Sequence, residues 1–277
     1  MILVTGANGF VGKHLVRSFQ SQRRPLRIVL REGSNPAVEL GETDEVVKTP
    51  DLFFADPPWW AEVLNGIETV VHLAWYAEPG KYLTSPKNTD CLNGTLSLAQ
   101  ACIDAGVRRF IGIGTCAEYD LNQGLLRSDS PLNPQTIYAA CKASTFQILR
   151  QLLPDAGVEF AWCRLFYLYG EGEDPRRLVP HLRQSLSEGK PAKLTSGRQI
   201  RDFLDVRDAA SMIADVALGD QQGPINICSG MPITVRQLAE QIADEYGRRD
   251  LLHFGARPDN LFDPPCVVGV RSAVGDS

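Results

Sequence analysis

The stretch Thr5-Gly6-Ala7-Asn8-Gly9-Phe10-Val11-Gly12 decides the fold of this chain, because it joins a short apolar run to a helical pattern. The apolar run is Ile2 to Val4, and apolar side chains recur every four residues at Val11, Leu15 and Phe19. A strand, a glycine turn and a helix in this order are typical of a turn that binds a dinucleotide pyrophosphate. The glycines permit a tight turn close to the anion, and the helix N-terminus stabilises its charge.

The spacing of these glycines is G-x-x-G-x-x-G, one residue longer than the common dinucleotide motif G-x-G-x-x-G. The alternative is a strand–helix turn that binds no ligand. Because a strand and a helix flank the turn, we favour a binding turn. The cofactor contacts predicted within it are Gly6, Asn8, Gly9, Phe10, Val11 and Gly12.

Composition excludes several classes of protein. The chain has 277 residues and a net charge of -5, and it has no run of Lys and Arg, so a nucleic-acid-binding surface is not expected. Its 7 cysteines are scattered without C-x-x-C spacing, which indicates reduced thiols and no metal site. No apolar stretch approaches the ~18 residues of a membrane span, and the N-terminus does not resemble a signal peptide. We therefore expect a soluble, cytoplasmic enzyme.

A second strand is predicted from Leu26 to Leu30, and Arg31 follows it. An acidic residue about 20 residues past the glycines binds the ribose 2′-hydroxyl of NAD, whereas an arginine accommodates the 2′-phosphate of NADP. Arg31 therefore slightly favours NADP over NAD. Glu32 is adjacent and, if it turned inward, would favour NAD instead.

Strand and helix patterns alternate along the rest of the chain. Strands are predicted at 69–74, 109–113, 158–165 and 225–228, and helices at 94–105, 178–186 and 235–246, the last of them capped by Thr234. This alternation predicts an α/β fold with a doubly wound parallel sheet, in which ligands bind outside the carboxyl ends of the strands. Ala74-Trp75 and Gly114-Thr115 would lie at that rim. His72, inside an apolar run, is interpreted as structural.

Tyr138 and Lys142 are four residues apart in a helical pattern and therefore share one face. A phenol with a pKa of about 10 is a poor acid–base catalyst at neutral pH. A neighbouring ammonium group favours the phenolate and is expected to lower that pKa. Such pairs also arise by chance on solvated helix faces, so the surrounding motifs decide the interpretation.

Together these motifs resemble the extended short-chain dehydrogenase/reductase family, and more narrowly its nucleotide-sugar epimerase, dehydratase and reductase branch. The segments that carry the resemblance span nearly the whole chain, in the order Gly6-x-x-Gly9-x-x-Gly12, His72-Leu73-Ala74, Thr115 with Tyr119, Tyr138-x-x-x-Lys142, Arg164 to Gly170, Arg201 to Asp208 and Arg257-Pro258-Asp259. The resemblance implies a Rossmann-like NAD(P)-binding domain over 1–165, to which segments near 201–228 return. Residues 166–277 would form mainly a smaller C-terminal substrate-binding lobe.

The resemblance also implies roles for individual side chains. Tyr138 would be the acid–base group, Lys142 its pKa partner and ribose ligand, and Thr115 the hydroxyl that hydrogen-bonds the reacting oxygen. Further cofactor contacts would come from Asp51, Leu52, Leu73, Ala74, Tyr138, Lys142 and Phe166, and substrate contacts from Trp75, Cys116, Tyr167, Arg201 and Arg257. The chemistry agrees, because hydride transfer to a ketone builds negative charge on oxygen and needs two hydrogen-bond donors.

Each of these interpretations has a structural alternative. Thr115 would otherwise only cap the end of a strand, and Arg201 and Arg257 would otherwise form surface ion pairs with Asp202 or Asp259. As diphosphate ligands, the planar guanidinium groups would suit paired phosphate oxygens.

Three positions depart from the family pattern. Dehydratases of this branch carry Thr-Asp-Glu where this chain has Thr115-Cys116-Ala117, and Glu118 is one residue too far along to substitute. Cys91 and Tyr167 stand where the family has asparagines. The missing carboxylates argue against elimination of water. The replacements at Cys91 and Tyr167 indicate a substrate pocket that differs from that of the family.

We therefore expect an NAD(P)-dependent oxidoreductase that modifies nucleotide sugars. The favoured activity is a 4-ketoreductase of a nucleoside-diphosphate 4-keto-6-deoxyhexose. One alternative is a nucleoside-diphosphate-sugar 4-epimerase, and another is a non-catalytic NAD(P)-binding sensor or scaffold. The family resemblance also implies a homodimer, and the polar, proline-containing segment 171–180 predicts a mobile lid over the substrate.

Overall fold

Strands and helices alternate through most of the chain in the computed structural model, which describes residues 1–260 and 263–271. The strands are β1 (Ile2–Thr5), β2 (Leu26–Arg31), β3 (Glu45–Thr49), β4 (Thr69–His72), β5 (Arg109–Thr115), β6 (Leu125–Leu126), β7 (Glu159–Leu165), β8 (Tyr167–Tyr169), β9 (Ala192–Lys193), β10 (Ile200–Asp205), β11 (Gly223–Ile227), β12 (Pro232–Thr234), β13 (Leu252–His253) and β14 (Cys266–Gly269). The helices are α1 (Gly12–Ser21), α2 (Pro57–Val63), α3 (Lys87–Asp104), α4 (Ile137–Asp155), α5 (Leu178–Ser187), α6 (Val206–Leu218) and α7 (Val235–Tyr246). Short 3₁₀ helices span Leu52–Phe54, Tyr82–Thr84, Cys116–Glu118, Leu121–Gln123 and Arg249–Leu251.

Seven strands form one parallel sheet in the order β3-β2-β1-β4-β5-β7-β11. The chain runs outward from β1 to β3 and then returns to β4, on the other side of β1. This reversal opens a crevice at the carboxyl ends of β1 and β4, where ligands of such sheets bind. Every residue of β1 and β4 is buried, as expected when helices cover both faces. The predicted Rossmann-like architecture is confirmed.

Helices cover the sheet on both sides. Helices α1 and α6 pack on one face, where Leu15, Phe19 and Ile213 are fully buried. Helices α2, α3 and α4 pack on the other face, around Trp60, Leu98 and Phe146 among others. Each fully buried side chain of this size contributes about 1.5–3 kcal/mol of transfer free energy, so these apolar faces hold the helices on the sheet.

A smaller sheet and a pair of helices form a second part of the structure. Strand β10 pairs with β12, β14 and β8, and β14 pairs with β6. Helices α5 and α7 share an apolar cluster of their own, which includes Leu182 and Ile242. Helix α6 and strand β11 lie with the large sheet. The domain division at residue 165 stays a prediction.

The largest departures from the predicted elements are at α3 and β3. Helix α3 begins at Lys87, whereas the pattern predicted a start at Gly94. The earlier start was missed because the buried face of the helix carries polar Asn88 and Thr95, which hide the apolar periodicity. Strand β3 was missed because most of its residues are exposed at the sheet edge. Thr234 caps α7 as predicted, and its Oγ1 accepts a hydrogen bond of 3.0 Å from Gln237 N. Within the described ranges, no helix is long and apolar enough to cross a membrane.

Candidate active site

A cavity of about 970 Å³ lies at the carboxyl ends of the central strands and extends to β8 and β10. Every residue predicted to bind or catalyse lines this cavity: Gly6, Asn8, Gly9, Phe10, Val11, Gly12, Arg31, Asp51, Leu52, Leu73, Ala74, Trp75, Thr115, Cys116, Tyr138, Lys142, Phe166, Tyr167, Arg201 and Arg257. The fold thus brings together side chains that are up to 251 residues apart (Gly6 to Arg257). Their individual roles remain predictions.

The glycine turn between β1 and α1 is sterically restricted to glycine. A Cβ atom at Gly6, where φ is +70°, would lie 2.7 Å from the backbone nitrogen of Ala74. A Cβ atom at Gly12 would lie 2.1 Å from the Gly6 carbonyl oxygen. The turn therefore sits directly against the end of β4 and presents the N-terminus of α1 to the cavity, a geometry that suits a pyrophosphate.

The loop beyond β2 forms the adenosine side of the predicted cofactor site. Asn8 holds this loop, since its side chain donates to Asn35 O and accepts from Ala37 N, each at 2.8 Å. Arg31 is exposed and lines the cavity, whereas Glu32 is exposed and does not line it. The inward turn considered for Glu32 is therefore not observed.

Thr115 ends β5 and also caps the short helix that follows. Its Oγ1 accepts from Ala117 N at 3.3 Å, and its own backbone N donates to Glu118 Oε1 at 2.8 Å. Thr115 therefore has the capping role that was considered as the alternative to a catalytic one. The same residue lines the cavity, and its side chain acts to lower the pKa of the Tyr138 phenol, against the larger effect of burial.

Lys142 lies on the buried side of α4 and is held by two groups. Its Nζ donates to Ile113 O at 2.6 Å and lies 3.8 Å from the centroid of the Trp75 ring. Burial lowers the pKa of Lys142 to about 7, while Glu118 and Cys91 act in the opposite direction.

The predicted lowering of the Tyr138 pKa is not observed. Burial raises the pKa of this phenol well above its ordinary value, and Tyr82 and Glu118 raise it further. The Lys142 ammonium is directed at a carbonyl oxygen and an indole ring, so it does little to offset that burial. Tyr138 is therefore protonated at neutral pH, which suits a proton donor.

The carboxylates near the site are arranged differently from a dehydratase pair. Glu118 is fully buried, accepts from Arg164 Nε at 2.8 Å, and does not line the cavity, as predicted. Glu173 does line the cavity, and its Oε2 is buried with no hydrogen-bond partner among residues 1–260 and 263–271. Burial raises the pKa of Glu173 to about 7. The sequence did not single out Glu173, because its polar, proline-containing segment was predicted only as a whole, as a mobile lid over the substrate.

The two arginines predicted to bind a diphosphate both line the cavity, but their partners differ from the alternative considered above. Arg201 is buried, and its Nη2 lies 2.6 Å from Asp263 Oδ1. Arg257 is exposed at the rim. The neighbouring carboxylates are used elsewhere: Asp202 accepts from Ser229 N at 2.7 Å, and Asp259 accepts from Ser196 N at 2.8 Å.

His72 is a structural residue, in agreement with its interpretation from sequence. It is buried between the hydroxyl groups of Thr5 and Thr95, at 2.8 Å and 2.9 Å. Burial lowers its pKa to about 3, so it is neutral and forms fixed hydrogen bonds. No group of His, Cys, Asp and Glu side chains in the described part of the chain has the arrangement of a metal site.

The cavity combines a glycine turn at the N-terminus of α1, an exposed arginine at the end of β2, and a protonated tyrosine near Thr115. This arrangement has room and chemistry for the predicted dinucleotide and a carbonyl substrate.

The family model described as the NAD dependent epimerase/dehydratase family matches residues 2–228. A dTDP-6-deoxy-L-talose 4-dehydrogenase (NAD(+)) from Aggregatibacter actinomycetemcomitans is 22% identical, over 98% of this chain and 99% of the relative. A UDP-N-acetylglucosamine 4-epimerase structure from Methanobrevibacter ruminantium M1 has a TM-score of 0.86 at 23% identity, covering 98% and 89% of the two chains. A dTDP-glucose 4,6-dehydratase structure from Streptomyces venezuelae with NAD bound has a TM-score of 0.82 at 24% identity, covering 98% and 88%. The chain belongs to the NAD dependent epimerase/dehydratase family, and each of the three relatives above is named for an enzyme of a nucleotide sugar.

Proposed function

We propose that this protein is an NAD(P)-dependent 4-ketoreductase of a nucleoside-diphosphate 4-keto-6-deoxyhexose. The observation that carries the proposal is the pairing of a protonated Tyr138 with Thr115, with Cys116 and Ala117 in place of carboxylates. The relative from A. actinomycetemcomitans is named for a 4-dehydrogenase of a dTDP-6-deoxy sugar. A 4-dehydrogenase running in reverse is a 4-ketoreductase, so its name supports the same reaction class.

The residues predicted for the site divide the work of this reaction. A reduced nicotinamide cofactor, when bound, would supply the hydride for C4 of the sugar. Tyr138 gives its proton to the C4 oxygen, and the Thr115 hydroxyl donates a hydrogen bond to the same oxygen as negative charge develops there. Arg201 and Arg257 would pair with the diphosphate, for which Arg201 must exchange its present partner Asp263. The glycine turn would hold the pyrophosphate of the cofactor.

The decisive experiment supplies purified protein with NADPH or NADH and a nucleoside-diphosphate 4-keto-6-deoxyhexose. We expect nicotinamide oxidation, followed at 340 nm, in a one-to-one ratio with the reduced sugar nucleotide. If no such donor is reduced with either cofactor, the proposal is wrong.

A 4-epimerase is the second candidate, and the likeness to the M. ruminantium 4-epimerase fold favours it. An epimerase takes the hydride from C4 and returns it to the other face, so the cofactor is regenerated in each turnover. Conversion of a nucleoside-diphosphate hexose to its 4-epimer by protein that carries bound NAD, without added cofactor, would establish this function instead.

We further propose that the cofactor is NADP(H), because Arg31 lines the cavity at the end of β2 and Glu32 does not. Replacement of Arg31 by Asp would repel the 2′-phosphate and offer a ligand to a 2′-hydroxyl. We expect Arg31→Asp to raise the Kd for NADPH about tenfold or more, with little change for NADH. The control Glu32→Gln should leave both affinities unchanged. An unaltered ratio of the two affinities in Arg31→Asp would exclude Arg31 from cofactor choice.

A further inference from the structure

The side-chain amide of Asn88 lies behind the proposed catalytic pair. Asn88 is in the first turn of α3 and is fully buried. Its Oδ1 accepts from Trp75 Nε1 at 2.8 Å, and its Nδ2 donates to Tyr82 O at 2.6 Å and to Ser85 O at 2.9 Å. A buried amide with all these bonds formed has one orientation, so it fixes whatever it binds.

The first group that Asn88 fixes is the indole of Trp75. The face of this ring lies against Lys142, whose Nζ is 3.8 Å from the ring centroid. An ammonium group over an indole face is attracted by the ring quadrupole, and the attraction is strongest away from water. The Ile113 carbonyl oxygen binds the same ammonium at 2.6 Å. Lys142 is therefore held between this carbonyl oxygen and the face of Trp75, while the centroid of the Trp162 ring lies farther from Nζ, at 5.8 Å.

The second group that Asn88 fixes is the short helix of Tyr82. The ring of Tyr82 meets the ring of Tyr138 edge-on, with 4.8 Å between their centroids. The loop after β4 is attached to α3 a second time, since Tyr76 N donates to the sulfur of Cys91 at 3.3 Å. Trp75 and Tyr82 therefore reach the Tyr138–Lys142 pair from segments anchored on α3.

We propose that Asn88 and Trp75 are positioning residues for Lys142, with the amide orienting the indole and the indole holding the ammonium group toward the cavity. Neither residue handles the hydride or the proton in the proposed reaction. The inference uses the proposed function only to place Lys142 in the site, and its main test needs neither substrate nor cofactor.

The titratable groups around Lys142 determine what the test must control. Glu118 and Cys91 favour its charged form, and burial opposes it, which leaves the Lys142 pKa at about 7. His72 is neutral because burial lowers its pKa to about 3. Tyr138 is protonated because burial raises its pKa. None of these groups is altered in the variants below, so a change in the Lys142 pKa reports on the ring.

The test follows the ionisation of Lys142 by NMR of protein labelled with ¹³C at the lysine ε-carbon, with the signal assigned from Lys142→Met. Because the indole stabilises the ammonium, Trp75→Met should lower the Lys142 pKa by about one unit, a tenfold change in the protonation equilibrium. Trp75→Phe keeps a ring face and should retain most of the effect. Asn88→Ala frees the indole and should shift the pKa in the same direction as Trp75→Met. The exposed control Asn93→Ala, on the same helix, should cause no shift.

An unshifted or raised Lys142 pKa in Trp75→Met overturns the proposal, since a residue with a merely structural role would change stability alone. If Asn88→Ala fails to fold, the pair Trp75→Met and Trp75→Phe still decides the role of the ring. Where reductase activity is present, the pH profile of kcat should move with the Lys142 pKa. Absence of that activity, with the NMR shifts as expected, would contradict the proposed function and leave the positioning role standing.

Discussion

Tyr138 lies in the cavity as a protonated phenol at neutral pH, because burial and the nearby Tyr82 and Glu118 raise its pKa. Lys142, one helical turn away, is buried with a pKa lowered to about 7, so its charge changes within the physiological range. At the residue scale, these two protonation states define the chemistry that the site can perform.

Replacement of Tyr138 by Phe removes the proposed proton donor and keeps the ring. We expect kcat for reduction of the keto sugar to fall by roughly 10²–10⁴, the usual contribution of a general acid. The Kd for the cofactor should change little, because Tyr138 acts on the reacting oxygen. Steady-state kinetics and fluorescence titration would measure the two quantities. Tyr246→Phe, on α7 outside the cavity, is the matched control, and a Tyr138→Phe enzyme with unreduced kcat would contradict the assignment.

Glu173 makes stability depend on pH in a predictable direction. Its pKa is raised from 4.5 to about 7 by burial, so between these values the folded state binds more protons than the unfolded state. The stabilisation is complete below pH 4.5 and is lost as the pH rises through 7. Glu173→Gln should therefore gain free energy of unfolding relative to the wild type between pH 5 and pH 8, in urea titrations at both values. The exposed control Glu62→Gln should show no such pH-dependent gain, and equal behaviour of the two variants would exclude the effect.

The turn between β1 and α1 can form only because Gly12 has no Cβ atom. The Gly12 position begins α1 directly against the Gly6 carbonyl, and Gly9 N donates to that same carbonyl at 3.0 Å. At the scale of the element, the absence of side chains at these glycines has two effects. It leaves room for a pyrophosphate, and it allows α1 to pack closely against the end of β1.

Gly12→Ala should test this limit directly. Its Cβ would meet the Gly6 carbonyl oxygen at 2.1 Å and the Ala7 Cα at 2.8 Å, and backbone atoms cannot move aside without distorting the turn. We expect a loss of about 3 kcal/mol or more in the free energy of unfolding, together with loss of cofactor binding. Gly66→Ala is the control, since φ there is +75° and no atom lies within 4 Å of the added Cβ. It should cost about 1 kcal/mol, from backbone conformation alone. Equal losses in the two variants would contradict the steric argument.

Asp202 joins three distant parts of the molecule. This fully buried carboxyl group of β10 accepts from Ser229 N and Oγ, each at 2.7 Å, from Gly230 N at 2.9 Å, and from Gly269 N at 3.2 Å. At the scale of the whole molecule, it ties the turn after β11, which belongs to the large sheet, to β14 of the smaller one.

Asp202→Asn replaces one acceptor oxygen by an NH₂ group that would face backbone N–H donors. We expect a loss of about 2–4 kcal/mol, because buried donors are left without an acceptor. Amide hydrogen exchange should accelerate in β14 more than in β1. The exposed control Asp215→Asn, on α6, should change neither stability nor exchange, and unchanged exchange in β14 of Asp202→Asn would argue against this tie.

Apolar runs and glycine spacing predicted most of the fold. The buried runs of β1 and β4 and the repeat through Leu15 and Phe19 indicate their elements locally. Strand β3 escaped prediction because an exposed edge strand has no apolar pattern. For the site, the family motifs predicted residues that the fold gathers around one cavity. Asn88 went unrecognised because no motif surrounds it, and Glu173 was not distinguished from the other residues of the predicted lid at 171–180. The homodimer, the lid and the cytoplasmic location stay predictions.

The sequence by itself determined the family, the parallel sheet, the glycine turn and the shared helical face of Tyr138 and Lys142. Those properties follow from backbone sterics and side-chain periodicity, which act over a few neighbouring residues. Only the tertiary structure decided that the Tyr138 pKa rises, that Glu118 pairs with Arg164, and that Asn88 reaches Lys142 through Trp75. Burial and electrostatic interactions depend on which distant segments of the chain are in contact, and those contacts exist only in the folded protein.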